Sequence, residues 1–234
     1  MRQNRRAVSG DLPPEDQPLD DATTQGAGPV RFSTISLSLL DRIEQAAVLV
    51  LYSLLVSRLW PADFSAASLA SIILLISEGA VVVFLLVRRP TEHISRRPGD
   101  WLVAAGGTFL PLMAENGGAN LFPAAGMAML TVGTLLHISA KFFLNRSFGL
   151  VAANRGVKKE GPYRIVRHPM YAGYMLTHVG FLLAQGSLRN FFLYAALWTI
   201  LVLRIRAEER VLLEDPAYRS FAEKVRYRLI PGVY

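Results

Sequence analysis

Apolar residues in this chain fall into six blocks, at 45–59, 69–87, 101–114, 121–144, 170–184 and 188–203, separated by segments rich in charge, glycine and proline. A straight helix needs roughly 20 apolar residues to cross the hydrocarbon core of a bilayer. The blocks therefore predict an all-α integral membrane bundle of about six transmembrane helices, the third, fifth and sixth being short for a full crossing. The last two blocks are separated only by Gln185-Gly186-Ser187. So tight a link predicts a C-terminal helical hairpin whose two open ends lie at the same membrane face.

Basic residues sharpen the topology, because loops left in the cytoplasm are enriched in Lys and Arg. Segment 88–100 carries four, 141–169 seven and the tail from Arg204 seven, against one in 58–68, none in 115–120 and one in 185–189. The alternation predicts six spans with both termini cytoplasmic. The polar stretches 145–167 and 206–234 then meet at the open ends of the hairpin, where they can roof a cytoplasm-facing pocket. Residues 1–40 read as a disordered polar tail without a signal peptide's apolar core, 41–144 as the first four spans, and 145–234 as the region that carries chemistry.

Composition narrows the function. The chain has 234 residues, 52% hydrophobic and 18% charged, too apolar for an ordinary soluble domain. Its formal charge of +7 is spread around the apolar blocks, as anchoring residues are, which argues against nucleic acid as a partner. With no cysteine there is no disulfide framework and no thiolate nucleophile or ligand. His137 and His178 have no third ligand at metal spacing, so no metal is assigned. Gly106-Gly107 and Gly117-Gly118 lie in or beside apolar blocks, which argues against a Rossmann-type dinucleotide site. Glu78 and His137 fall inside spans, where an ionisable group is a functional suspect or is satisfied by a neighbouring helix.

Two constellations can carry chemistry. The first runs from Gly161-Pro162-Tyr163-Arg164 to His168-Pro169-Met170-Tyr171-Ala172-Gly173. Pro169 suits the first turn of a helix, and the free N–H groups of that turn would accept an anionic part of a ligand. Arg, His and Tyr at this level could equally be interfacial anchors. The second, Arg204 to Arg210 with Glu208-Glu209, sits where the sixth block ends; Arg204 and Glu208, four apart, share one helical face. Alone, that spacing also fits a solubilising ion pair.

Together, His168-Pro169-x-Tyr171-x-Gly173, the preceding Gly161-Pro162-Tyr163-Arg164, the later Glu208-Glu209 and the ending Val225-Arg226-Tyr227-Arg228-Leu229-Ile230-Pro231-Gly232 resemble the isoprenylcysteine carboxyl methyltransferase family, bacterial members included. The resemblance covers about 145–234 and extends to phospholipid N-methyltransferases and sterol reductases. It implies S-adenosylmethionine as cofactor, held by Arg155, Val157, Lys158, Tyr163, His168, Pro169, Met170, Tyr171, Glu208 and Glu209. It also implies catalytic roles for Arg204, at the substrate, and Glu208. Arg155 stands where several relatives have a histidine.

The chemistry of these residues is consistent with that assignment. A sulfonium is favoured over an aromatic face such as Tyr163 or Tyr171, and a carboxylate such as Glu208 can hold ammonium or ribose hydroxyls. The expected reaction is O-methylation of a carboxylate on a prenylcysteine-like or other lipophilic acceptor reached from membrane lipid. Such an acceptor needs positioning more than a base. The alternatives are N-methylation of a phospholipid amine, which would need a base such as His168 or Glu209, and sterol-type reduction by a nicotinamide cofactor.

Overall fold

In the computed structural model of the protein, residues 36–59, 69–115 and 118–234 are described, so most of the expected N-terminal tail lies outside them. Among the described residues seven α-helices follow one another: α1 (Leu37–Leu59), α2 (Leu69–Leu86), α3 (Pro98–Phe109), α4 (Pro123–Leu144), α5 (Pro169–Ala184), α6 (Leu188–Leu212) and α7 (Pro216–Lys224). Among the described residues there are no strands beyond two isolated bridges, Ile94 with Ala153 and Ala119 with Gly186. The all-α expectation holds.

At 1.5 Å per residue, α4 is about 33 Å long and α6 about 37 Å, against a hydrocarbon core of about 30 Å. With their flanking turns, Pro123–Ser147 and Leu188–Leu212 are the two helices among the described residues that are long and apolar enough to cross a membrane. The surface is inverted relative to a soluble protein. Leu102, Leu135 and Phe192 are 74%, 61% and 67% exposed, while Asp41, Glu44, Lys141 and Arg204 are buried. Apolar outside and charged inside is the arrangement lipid imposes. Helix α3 spans about 18 Å and is prolonged by a 3-10 turn at Leu110–Met113.

Helices α4 and α5 form the tightest pair. Gly126 and Gly133 on α4 face Gly173 and Gly180 on α5, each pair seven residues apart. A Cβ on Gly173 would come within 2.6 Å of the His137 backbone nitrogen, and one on Gly180 within 2.6 Å of that of Leu130. With no hydrophobic drive between helices in lipid, such small-residue seams let backbones approach and gain dispersion contact.

The hairpin of α5 and α6 is held differently, by large side chains that place high numbers on one helix against low numbers on the other. Phe181 meets Tyr194 edge-on, His178 stacks on Tyr194 at 4.5 Å, and the Trp198 indole N–H donates to His178 Nδ1 at 3.3 Å. Farther along, the Tyr171 hydroxyl donates to Glu208. The helices are therefore antiparallel, as the short Gln185–Ser187 link requires.

Two boundaries differ from the sequence expectation. Helix α1 begins at Leu37, eight residues before its apolar block, because the carboxylates of Asp41 and Glu44 are paired inside the fold with Arg88. Helix α6 continues nine residues past its apolar block to Leu212 and so delivers Glu208 and Glu209 on one rigid rod. After a short turn, α7 starts at Pro216, with the Asp215 carboxylate accepting from the Ala217 N–H at 2.8 Å, and folds Tyr218 and Phe221 into the core.

Candidate functional site

The segment before α5 is pinned on both sides. Gly161, at φ 57°, opens a 3-10 turn through Arg164 that buries Tyr163. Arg167 and His168 then donate their backbone N–H groups to the carbonyls of Tyr227 and Arg228, each at 2.9 Å, so the C-terminal stretch lies along this segment. Pro169 occupies the first helical position. Of the N–H groups expected to receive an anion, Pro169 has none and that of Tyr171 bonds the His168 carbonyl at 3.1 Å. The expected anion site shrinks to the Met170 N–H.

These elements enclose a cleft of about 90 Å³ lined by Arg155, Val157, Lys158, Tyr163, His168, Met170, Tyr171 and Glu208, with Tyr218 and Phe221 from α7. Eight of the expected cofactor residues thus come together from three separate stretches of chain. Pro169 and Glu209 do not line it. Pro169 is packed beneath the helix start. Glu209, 4% exposed, instead gathers three donors: Arg167 Nε at 2.7 Å, Arg228 Nε at 2.5 Å and the His168 ring at 3.3 Å. Its place is that of a buckle joining α6, the α5 start and the C-terminal stretch.

His168 lies between two carboxylates, with Nδ1 3.6 Å from Glu208 and Nε2 3.3 Å from Glu209. Burial pushes its pKa down, but hydrogen bonds and charge from Glu208 and Glu209 outweigh burial and raise it above its ordinary 6.5. Both ring nitrogens face carboxylates, so neither is open toward an acceptor. Tyr163 is held protonated mainly by burial and next by the Glu208 charge.

Arg155 reaches the cleft from a buried network that sequence reasoning missed. Its guanidinium pairs with Asp41 at 2.7 Å and Glu44 at 3.1 Å, and the same carboxylates hold Arg88. Glu44 also accepts from the backbone N–H groups of Leu150 and Val151. Two carboxylates against two guanidiniums leave no net charge, the condition under which ions can be buried.

Arg204 does not line this cleft. Its guanidinium sits 5.2 Å over the Tyr171 ring, donates to the Leu150 carbonyl at 2.9 Å and opens into a second cavity of about 230 Å³. No direct Arg204–Glu208 ion pair forms; Tyr171 stands between them, its ring under one and its hydroxyl on the other. Gly107 on α3 makes room for Arg204, since a Cβ there would lie 3.0 Å from Arg204 Cδ. Glycines that are wrong for a nucleotide loop are therefore right for this close approach. Glu78 pairs with Lys141 at 2.6 Å on the wall of the same cavity, beside His137 and Tyr174.

Residues 121–217, from the start of α4 into α7, match the family described as phospholipid methyltransferase. A second similarity is to the protein-S-isoprenylcysteine O-methyltransferase of Schizosaccharomyces pombe, 26% identical over 114 residues, which cover 45% of this chain and 48% of that protein. The chain is related to these methyltransferases. It spans about half the length of the curated relative it matches. The match to the methyltransferase family takes in Arg155, Tyr163, His168, Tyr171, Arg204 and Glu208 but not Asp41, Glu44, Glu78 or Gly107.

The cleft suits S-adenosylmethionine on chemical grounds. Tyr218 Oη and Arg155 Nε are buried in its wall without a hydrogen-bond partner among the described residues, and the Met170 N–H also has none. Donors left open beside the Glu208 carboxylate and the rings of Tyr163 and Phe221 match a zwitterion that carries an aromatic base.

Proposed function

We propose that this chain is a membrane methyltransferase that uses S-adenosylmethionine to methylate a carboxylate on a prenylcysteine-like or other lipophilic acceptor. The observation that carries the reading is the division of labour at Tyr171: Glu208 faces one cleft, Arg204 faces the second cavity, and one side chain touches both. Bound S-adenosylmethionine would supply an electrophilic methyl group on a cationic sulfur. Glu208, Lys158, Tyr163 and Tyr218 are the residues that would hold it. One face of Tyr171 is taken by Arg204, so Tyr163 is the better aromatic neighbour for a sulfonium. Arg204, fixed by Leu150, Tyr171 and Gly107, would orient the acceptor carboxylate with its planar fork and hold it at the boundary between the two spaces.

The match to phospholipid methyltransferases favours an amine acceptor as the second reading. Against it, an ammonium entering the inner cavity would meet Arg204 and Lys141, and His168, whose two ring nitrogens face Glu208 and Glu209, does not line that cavity to serve as the base such a reaction needs. Calorimetric titration with S-adenosylmethionine and with a reduced nicotinamide, followed by methyl transfer to a prenylcysteine analogue and to phosphatidylethanolamine, tests these readings together. Binding of the nicotinamide alone, or transfer to the amine alone, would overturn the favoured one.

The topology proposed with this function has six spans and both termini in the cytoplasm. A reporter fused after Tyr234 should then behave as cytoplasmic and one inserted at 116–119 as external.

A further inference from the structure

Residues 149–151 run between the two cavities. Gly149 lines both, Val151 lines the Glu208 cleft and Leu150 lines the Arg204 cavity, so this short stretch forms part of the wall that the two spaces share. It belongs to no helix, and among the described residues its backbone makes no hydrogen bond to other backbone. Side chains must answer its polar groups instead.

Two of them do. Glu44, on α1 and 1% exposed, accepts from the Leu150 N–H and, at 3.3 Å, from the Val151 N–H, while the Leu150 carbonyl accepts from Arg204 Nη2 at 2.9 Å. One carboxylate and one guanidinium therefore clamp the same residue of the wall. The other oxygen of Glu44 reaches Arg155 at 3.1 Å and Arg88. Arg155 has a further carboxylate in Asp41, at 2.7 Å, and Asp41 accepts from Arg88, Arg155 and the Thr91 N–H but from nothing in 149–151. A change at Glu44 thus bears on the wall and on Arg204 more than on Arg155.

We propose that Glu44 is a positioning residue: by fixing Leu150 and Val151 it sets the carbonyl on which Arg204 rests, and so aims Arg204 at the acceptor. Glu44 lines neither cavity and lies outside the region that matches the methyltransferase family. The inference rests on the carboxyl-methylating reading, in which Arg204 orients the acceptor.

The test uses the whole chain in nanodiscs and three variants. Glu44→Asp keeps the charge but withdraws it by one methylene, and Glu44→Met with Arg88→Met removes the clamp while leaving Asp41 and Arg155 as a neutral pair. Asp41→Asn removes one charge from the same cluster without touching the wall. Amide hydrogen exchange of a peptide spanning 148–153 is measured without ligands, and single-turnover methyl transfer to a prenylcysteine analogue is measured at saturating S-adenosylmethionine. Both Glu44 variants should speed exchange at 150–151 by about tenfold or more and slow transfer by about tenfold, the scale of one lost hydrogen bond to a charged group. Asp41→Asn should leave that exchange at the wild-type rate. In an Arg204→Ala background Glu44→Asp should slow transfer no further, because Glu44 acts through Arg204. Unchanged exchange in both Glu44 variants, an equal loss of protection in Asp41→Asn, transfer at the wild-type rate, or slowing that adds in full to that of Arg204→Ala would each overturn the proposal. Absence of transfer to any carboxylate by the wild type would overturn the carboxyl-methylating reading and with it the aim assigned to Arg204, while exchange would still decide whether Glu44 holds the wall.

Discussion

The Tyr171 hydroxyl donates to the Glu208 carboxylate while the same ring carries the Arg204 guanidinium on its face. Removing only the hydroxyl separates these roles. Tyr171→Phe should weaken S-adenosylmethionine binding by about 0.5–1.5 kcal/mol, the net worth of one hydrogen bond, and leave Arg204 seated. Tyr171→Leu should in addition lower turnover, because Arg204 loses its platform. Titration calorimetry with single-turnover rates on both variants checks the separation.

Glu208→Ala removes the carboxylate of the cleft itself. Binding of S-adenosylmethionine should fall by about 1.5–3 kcal/mol, as for a hydrogen bond to a charged group. His168→Ala should also weaken it, through the helix start that His168 holds. Wild-type affinity in both variants would return this constellation to the role of a membrane anchor.

Arg204→Ala should depress turnover on a prenylcysteine analogue while S-adenosylmethionine affinity stays nearly intact, since Arg204 does not line the Glu208 cleft. Arg204→Lys should rescue it only in part, for want of the planar fork. Gly107→Ala should imitate a milder Arg204 defect, because the added Cβ lands 3.0 Å from Arg204 Cδ and pushes it aside. Robust methylation of phosphatidylethanolamine that survives Arg204→Ala would select the amine reading instead.

The His168 linkage has a definite sign. Its folded pKa lies above 6.5, so the stability contributed by its contacts with Glu208 and Glu209 is complete below 6.5 and disappears as pH rises through the folded value. The unfolding temperature in detergent should therefore fall as pH is raised above 6.5 in the wild type. His168→Gln should flatten that limb. An unchanged slope would mean that the imidazole is not charged between these carboxylates.

The α4–α5 seam should be intolerant of even one methyl group. Gly173→Ala places a Cβ 2.6 Å from the His137 backbone nitrogen, with no flexible atom to yield, and should cost about 1–3 kcal/mol. Gly99→Ala, where nothing lies within 4 Å, serves as the control and should leave thermal stability unchanged apart from helix propensity.

Much of this architecture is legible in the sequence because hydropathy blocks measure what lipid demands. The blocks at 69–87 and 121–144 coincide with α2 and α4 almost to the residue. The cleft was legible too, since the Tyr163 to Tyr171 stretch and Glu208 must meet once the hairpin closes. Charge counting misled at Lys141: it was tallied with a cytoplasmic loop, yet it is buried on α4 against Glu78. The Asp41, Glu44, Arg88 and Arg155 network could not be read in advance, because its partners lie 44 to 114 residues apart and nothing local announces them. Two other features were there to be seen. Glycines at spacing seven in both 126–133 and 173–180 announce a close helix pair, and Asp215-Pro216 is a helix-start signature that places α7.

Helices that meet backbone to backbone cannot shear past one another without losing the whole seam at once. The α4–α5 pair is in that sense a fixed post, and the side of the cavity opposite it, on α1 and α6, is lined by Leu51, Leu197 and Leu201, with Arg204 held on Tyr171 and the Leu150 carbonyl. The post keeps the start of α5, and with it the Met170 and Tyr171 side of the Glu208 cleft, in place.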